Sequence, residues 1–296
     1  MKYAIFTDST SDLTREECEQ FGIWPELFTQ EVTCYGNQVD FSDADGFYAA
    51  MDRGEYPAGE LKTASGNYEA ITKILDDIIA QTEEDTTIVY ASTSPYISSS
   101  TVTVGENALK EYQEKYPNRK FIHIDSHCVS GGQAVFMYYL AKYGGDDIES
   151  YAEELSKHCV HLFTLRDFRY ARKSGRFNIA ERIAMMAMTQ LKISPWMYFP
   201  LEGQLSMNGQ VFKGDKLLHE WAKYIANNRA DDANYIRVCY GGAAEKSRAE
   251  KLIRLIMKYA DIPEENIYLV HIGPIIASHT GSTVLAVFFK QENDRT

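Results

Sequence analysis

The first half of the chain alternates short β-rich runs with longer stretches of helical spacing, and that alternation confines it to a sheet layered with helices. Residues 2–6 read as a strand, and Thr14 with Glu17 forms a capping box for the helix that follows. Ser42 as N-cap and Gly54 as stop bound a helix over 43–53. From Tyr68 onward, Ile71, Ile74, Leu75, Ile78 and Ile79 keep helical spacing. Strands at 86–91 and 120–124 precede helical patterns over 99–115 and 132–143, the last closed by Gly144-Gly145. Parallel strands need such crossovers, so a Rossmann-like, mostly parallel sheet covered on both faces is expected.

Beyond Gly144-Gly145-Asp146-Asp147 the pattern changes. Helices over 147–160 and 178–190 flank a strand at 161–165, and runs 193–199 and 204–212 meet at Glu202-Gly203, a hairpin signal. Helix, strand, helix, strand, strand then follow to Phe289. Two α/β domains are therefore expected, 1–146 and 147–296, the second with a mixed sheet. A length of 296 residues also exceeds what one hydrophobic core usually serves.

Several function classes lose ground on composition. Thirty basic against 42 acidic residues give a formal charge of −12, which disfavours nucleic acid or an anionic membrane surface as the main partner. No apolar run is long enough to span a bilayer, and Asp8 interrupts the N-terminal run too early for a signal peptide. Five scattered cysteines without a Cys-x-x-Cys pair read as free thiols in a reducing cytoplasm. His123/His127 and His158/His161 have helix-like spacing but no accompanying cysteine or carboxylate set, so no metal is expected. Glycine fingerprints for nucleotide phosphates and the Gly-x-Ser-x-Gly elbow are absent, and no cofactor is expected.

What remains is positional. Strand 2–6 runs into Thr7-Asp8-Ser9-Thr10-Ser11, and strand 86–91 into Ser92-Thr93-Ser94 and then Ser98-Ser99-Ser100-Thr101. Strand 120–124 runs into Asp125-Ser126 and Ser130-Gly131-Gly132, while Thr63-Ala64-Ser65 stands before a helix. In open α/β sheets such strand ends share one crevice, where hydroxyls and helix N-termini suit an anionic or carbonyl-bearing group. Each hydroxyl alone is an ordinary helix cap; their repetition on one edge makes a candidate site. Met185, Met186 and Met188, beside Ile179, Ile183 and Leu191, are expected to pack in the core, with lining of an alkyl channel as the alternative.

At these residues the chain resembles the DegV family of bacterial fatty-acid-binding proteins. The resemblance runs through Thr7-Asp8-Ser9-Thr10, Ser94 to Ser100, Asp125-Ser126 with Ser130-Gly131-Gly132-Gln133, Ser174-Gly175-Arg176, Leu191 to Pro195, and Ile272-Gly273-Pro274 with His279-Thr280-Gly281. It implies two α/β domains, an acyl tail buried in the C-terminal one, and a carboxyl group held at the cleft between them. It also implies a non-catalytic carrier that presents its fatty acid to a separate fatty acid kinase. By position, Thr63 and Ser94 match the family's carboxyl-binding threonine and serine, with Ser98 one loop away as the alternative. His279, Thr280 and Gly281 match its histidine motif, and Asp8, Ser9, Ser126, Ser130, Arg176 and Lys213 supply further contacts.

The departures are specific. The family's Thr-Ser-x-Pro-Ser reads Thr63-Ala64-Ser65-Gly66-Asn67, its Ser-Gly-Thr reads Ser98-Ser99-Ser100, and Gly-Gly-Arg reads Ser174-Gly175-Arg176. Its His-x-Gly-Pro-Gly reads His279-Thr280-Gly281-Ser282-Thr283, and the arginine after the hairpin is Lys213, which keeps charge but loses the bidentate fork. The residue types leave two further readings open: a carrier for another apolar carboxylate, and a serine hydrolase using Ser94 or Ser98 with His279 and Asp8 or Asp125.

Overall fold

The computed structural model describes residues 2–173, 179–202 and 205–295. Its elements in chain order begin β1 (Tyr3–Thr7), α1 (Arg15–Phe21), β2 (Glu31–Cys34), β3 (Asn37–Gln38), α2 (Ala44–Asp52) and β4 (Leu61–Ala64). There follow α3 (Tyr68–Gln81), β5 (Thr87–Ser92), α4 (Pro95–Lys115), β6 (Phe121–Asp125), α5 (Gly131–Tyr143) and α6 (Ile148–His158). Then come β7 (Cys159–Leu165), α7 (Arg169–Lys173), α8 (Ile179–Leu191), β8 (Ile193–Tyr198), β9 (Ser206–Lys213) and α9 (Lys216–Asn228). The last are β10 (Ile236–Tyr240), α10 (Ala243–Ala260), β11 (Ile267–His271), α11 (Pro274–Thr280) and β12 (Val284–Lys290).

Contacts divide the chain into two compact units, and not by a single cut at 146/147. The first holds the residues up to Glu31, Ala64–Cys159, and Leu201 with Glu202; the second holds Val32–Thr63, Val160–Pro200 and the residues from Leu205 onward. Helix α6 thus stays with the first half, and the excursion from Val32 to Thr63 belongs with the second. Its side chains explain this: Phe47, Tyr48, Met51 and Leu61 pack with Tyr170, Ile275 and Ala277 in one cluster. No local pattern announces a partner more than a hundred residues away.

In the first unit β1, β5 and β6 pair in parallel in that order, with Ile5 opposite Val89 and Val89 opposite Ile122. Ala4, Phe6, Ile88 and Tyr90 pack against Ile71, Leu75, Ile78, Leu109 and Tyr112 of α3 and α4. The intervening Ile5, Val89 and Ala91 are buried as well, so both sheet faces are covered. The capping box forms as expected: Thr14 Oγ1 accepts from the Glu17 amide at 3.1 Å, and Glu17 Oε2 from the Thr14 amide at 2.9 Å. Helix α2 is instead capped by Asp43, whose Oδ1 accepts from the Gly46 amide at 3.0 Å, one residue beyond the expected Ser42.

The second unit carries a six-stranded sheet in the order β11-β10-β12-β7-β8-β9. β10 is parallel to β11 and antiparallel to β12, so the sheet is mixed, as expected. β8 and β9 form the anticipated hairpin, with an irregular register between Pro195 and Met197; its turn at Gly203 lies outside the described residues. Leu217, Trp221 and Ile225 of α9 and Leu252, Ile253 and Ile256 of α10 pack on Val238, Leu285, Val287 and Phe289. A separate small sheet, β3-β2-β4, was not anticipated; β2 and β3 turn at Tyr35-Gly36, both with positive φ (50° and 80°) as a tight hairpin requires.

Helix α8 departs from the core packing expected of its methionines. Met185 is fully buried, but Ile179, Ile183, Met186 and Leu191 are 77%, 62%, 47% and 59% exposed. Its apolar face is uncovered among the described residues.

Candidate functional site

At the C-terminal edge of the first unit's sheet, the loops after β1 and β5 and the start of α5, which follows β6, are tied together by one carboxylate. Asp8 is fully buried, yet its Oδ2 accepts from the Thr93 amide at 2.8 Å, from Tyr90 Oη at 3.2 Å and from Gln133 Nε2 at 3.2 Å. Its Oδ1 accepts from the Thr10 amide at 3.0 Å and from the Thr10 hydroxyl. Burial pushes the Asp8 carboxyl above the ordinary carboxylate value, and the donors from Thr10, Thr93 and Gln133 pull it partly back. Asp8 is thus the clasp of the crevice.

Most hydroxyls on this edge are engaged within the protein. Thr7 donates to the Ala91 carbonyl at 2.6 Å, Ser126 to the Ser92 carbonyl at 2.7 Å and Thr93 to the Cys128 carbonyl at 3.2 Å. Ser130 donates to Asp12, and its φ of 53° puts it in the left-handed region. Ser98 interrupts α4 with φ −147°, ψ 81°, and its hydroxyl lies 2.7 Å from that of Thr101. Ser126, Ser130 and Ser98 therefore hold the loops in shape. Ser9 accepts from the Gln30 amide at 3.0 Å and is half-buried.

Ser94 differs. It is fully buried and caps α4, its Oγ accepting only a long 3.4 Å contact from the Tyr96 amide. Its own O–H has no acceptor among the described residues. A buried hydroxyl proton left unused costs roughly 1 kcal/mol or more and is usually met by water or a ligand. The Ser94 amide donates to the Cys128 carbonyl at 3.0 Å, so the backbone that carries this proton is fixed from the loop after β6.

Of the candidates in the second unit, Thr63 sits half-buried on β4, with no hydrogen-bond partner for its side chain among the described residues. His279 and Thr280 end α11, and Thr280 Oγ1 donates back to the Ile276 carbonyl at 3.0 Å. Gly281 closes the helix with φ 77°, ψ −174°, and its amide donates to the Ala277 carbonyl at 2.8 Å. Lys213 is exposed at the end of β9. Arg176 lies outside the described residues, with Ser174 and Gly175.

Two departures from the family pattern have local reasons. At Gly66 a Cβ would stand 2.3 Å from the Phe28 ring, so the backbone there passes too close for a side chain. Asn67 caps α3, Oδ1 accepting from the Ala70 amide at 2.8 Å, which serine would do equally well.

The histidines find partners other than one another. His123 Nε2 lies 2.9 Å from Ser92 Oγ and its Nδ1 3.1 Å from Glu106 Oε1; His127 Nδ1 lies 3.5 Å from Asp125. His158 pairs with Glu154 at 3.3 Å, and His161 Nδ1 faces Arg295 Nη1 at 2.9 Å. Among the described residues the serine paired with a histidine is thus Ser92, whereas Ser94 and Ser98, the two candidate nucleophiles, have no histidine partner there. Spacing could not show this, because Ser92 and His123 meet only through the β5–β6 register, in which Tyr90 stands opposite His123.

His271 in the second unit was also missed; burial lowers its proton affinity. Its Nδ1 lies 3.1 Å from the Gly241 carbonyl, and its Nε2 lies 3.0 Å from Tyr240 Oη and 3.2 Å from Asp45. The second unit further holds a cavity of about 240 Å³, whose lining includes Val160, Leu162, Trp196, Phe199, His161 and Arg295. None of Thr63, His279, Thr280 or Gly281 lines it.

A parallel three-stranded sheet with a hydroxyl-lined edge, in a chain whose second unit is a six-stranded mixed sheet, defines a two-unit α/β protein with a polar strand-end site. Known proteins of similar sequence and fold are consistent with this. The family model described as "Uncharacterised protein, DegV family" matches residues 2–292. A DegV domain-containing protein of Clostridium perfringens is 28% identical over 302 residues, covering 97% of each chain. Among solved structures, a stearic-acid-binding protein from Eubacterium ventriosum has a TM-score of 0.77 at 21% identity, covering 98% of each chain. A DegV family protein from Thermus thermophilus, described by its fatty acid binding, has a TM-score of 0.78 at 18% identity over 99% of this chain and 100% of its own. The chain belongs to the DegV family.

Proposed function

We propose that this protein is a non-catalytic carrier that buries one long-chain fatty acid and holds its carboxyl end by hydroxyl donors. The observation that carries the reading is Ser94, a fully buried hydroxyl whose proton has no acceptor among the described residues, on a backbone clamped by Asp8 and Cys128. A carboxylate oxygen supplies that acceptor. Thr63 and His279 are assigned the same head group from their positions in the family pattern. The fatty acids held by the Eubacterium and Thermus relatives support the ligand class. No helix among the described residues is long and apolar enough to cross a membrane, which accords with a carrier working in the cytoplasm.

A fatty acid needs a dry tail site as well as a polar end. Burying 14–16 methylenes contributes on the order of 10 kcal/mol before ordering and association costs, so the tail supplies affinity and the hydroxyls supply orientation. We assign the tail to the second unit, where the uncovered apolar face of α8 offers an alkyl chain a surface its own unit leaves unburied. Neutral donors also suit a head group that a separate kinase converts to an acyl phosphate, because no ion pair has to break. Lys213, in place of the family's arginine, leaves that step a point charge rather than a fork.

The head-group assignment is tested by retention of a radiolabelled fatty acid through gel filtration. Ser94→Ala is expected to weaken retention about tenfold, as for one lost buried hydrogen bond to a charged group, while Ser98→Ala changes it little. The reverse ranking would move the carboxyl group to Ser98.

A further inference from the structure

Ser92, His123 and Glu106 form a hydrogen-bonded line that the binding reading above leaves unused. His123 is on β6, and its ring packs on that of Tyr90 at 5.6 Å. Glu106 Oε1 sits 3.1 Å from Nδ1 on the α4 side, and Ser92 Oγ 2.9 Å from Nε2 on the β5 side. Ser92 Oγ is also 3.0 Å from the Thr93 carbonyl. One hydroxyl proton cannot serve both acceptors. When Nε2 is bare, Ser92 donates to it; when Nε2 carries a proton, the ring donates to Ser92 Oγ and the hydroxyl turns to the Thr93 carbonyl. The protonation state of His123 is therefore written into the peptide that joins Thr93 to Ser94.

We propose that His123 is a positioning residue for the head-group loop, taking up a proton when an acyl carboxylate is held at Ser94 and passing the change through Ser92 to Thr93. This rests on the head-group reading above. The groups facing His123 are Glu106 from α4, Tyr90 and Ser92 from β5, Asp125 on its own strand with His127 beside it, and Asp8 from the loop after β1. Burial lowers the proton affinity of His123 below the ordinary histidine value, while Glu106, Asp125 and Asp8 oppose that. One more negative charge at the strand ends tips this balance back toward the protonated ring. By linkage, the proton must strengthen carboxylate binding by the same factor as the carboxylate strengthens protonation.

Histidine ring resonances of the lipid-free and palmitate-loaded protein, followed by NMR from pH 5 to 8, test this directly. Loading is expected to move the His123 midpoint up by about 0.5 pH or more, as for a nearby unit charge in a partly solvated site. Palmitate retention should accordingly be about threefold stronger at the acid end of the range. His123→Gln should keep palmitate but lose that pH dependence, and Glu106→Gln should lower the midpoint without abolishing retention. A loaded wild-type protein whose His123 midpoint matches the lipid-free one overturns the proposal and leaves the head-group reading intact. A wild-type protein that retains no palmitate overturns both.

Discussion

Replacing Asp8 by alanine is expected to cost about 3 kcal/mol or more of folding stability, read as a drop in the urea midpoint at unchanged slope. The side chain is fully buried, and its loss strands the amides of Thr10 and Thr93, the Tyr90 hydroxyl and the Gln133 amide. Removing a buried charge returns part of that cost, so the net effect is smaller than the sum of the broken bonds. Asparagine keeps the shape but turns one acceptor into a donor facing Thr10 or Thr93, so it too should destabilise.

The pH dependence separates charge from shape. Because burial raises the folded-state value of Asp8, its contribution is fully present below the ordinary carboxylate range and is lost as pH rises through the folded value. The stability gap between wild type and Asp8→Asn should therefore widen on acidification from pH 7 toward pH 4. A gap that narrows would mean that the ionised form is the one the site stabilises.

Gly281→Ala is expected to lower stability by about 2–4 kcal/mol, from strain and overlap together. With φ 77°, ψ −174°, the residue occupies a region open essentially to glycine alone. A Cβ there would stand 2.6 Å from Cδ2 of Tyr170, and that ring is pinned by a 2.5 Å hydrogen bond from its hydroxyl to the Tyr56 carbonyl. The residue thus fixes where α11 ends and how His279 and Thr280 are presented. Thermal unfolding reads the effect, and a variant within 0.5 kcal/mol of wild type, the range of ordinary surface substitutions, would show that the loop relaxes.

Much of this architecture is legible in the sequence, where the signal is local. The Thr14/Glu17 capping box, the alternation that makes the β1-β5-β6 sheet and the β8–β9 hairpin all depend on neighbours within a few residues. What escapes is long-range. The excursion from Val32 to Thr63 reads as an extension of the first half, yet Phe47 and Tyr48 bury against Tyr170 and Ile275. The β2–β3 hairpin has its signal at Tyr35-Gly36, but strands of four and two residues give too short a pattern to claim. Among the methionines of α8, helical spacing names a face and not its cover.

The site divides in the same way. Strand-end hydroxyls are visible as a cluster, but the sequence cannot say which of them are spent on the fold. Ser126, Ser130 and Ser98 are engaged within the protein, and Ser94 keeps its proton. His123, whose helix-like spacing from His127 carries no metal expectation, is partnered by Ser92 and Glu106 through the sheet register.

Denaturing extraction of the purified protein followed by mass spectrometry tests the central claim most directly. The account predicts one long-chain fatty acid for each protein chain, reduced in Ser94→Ala and undiminished in Ser98→Ala. A folded protein that arrives empty and takes up no long-chain acid when offered one would contradict it.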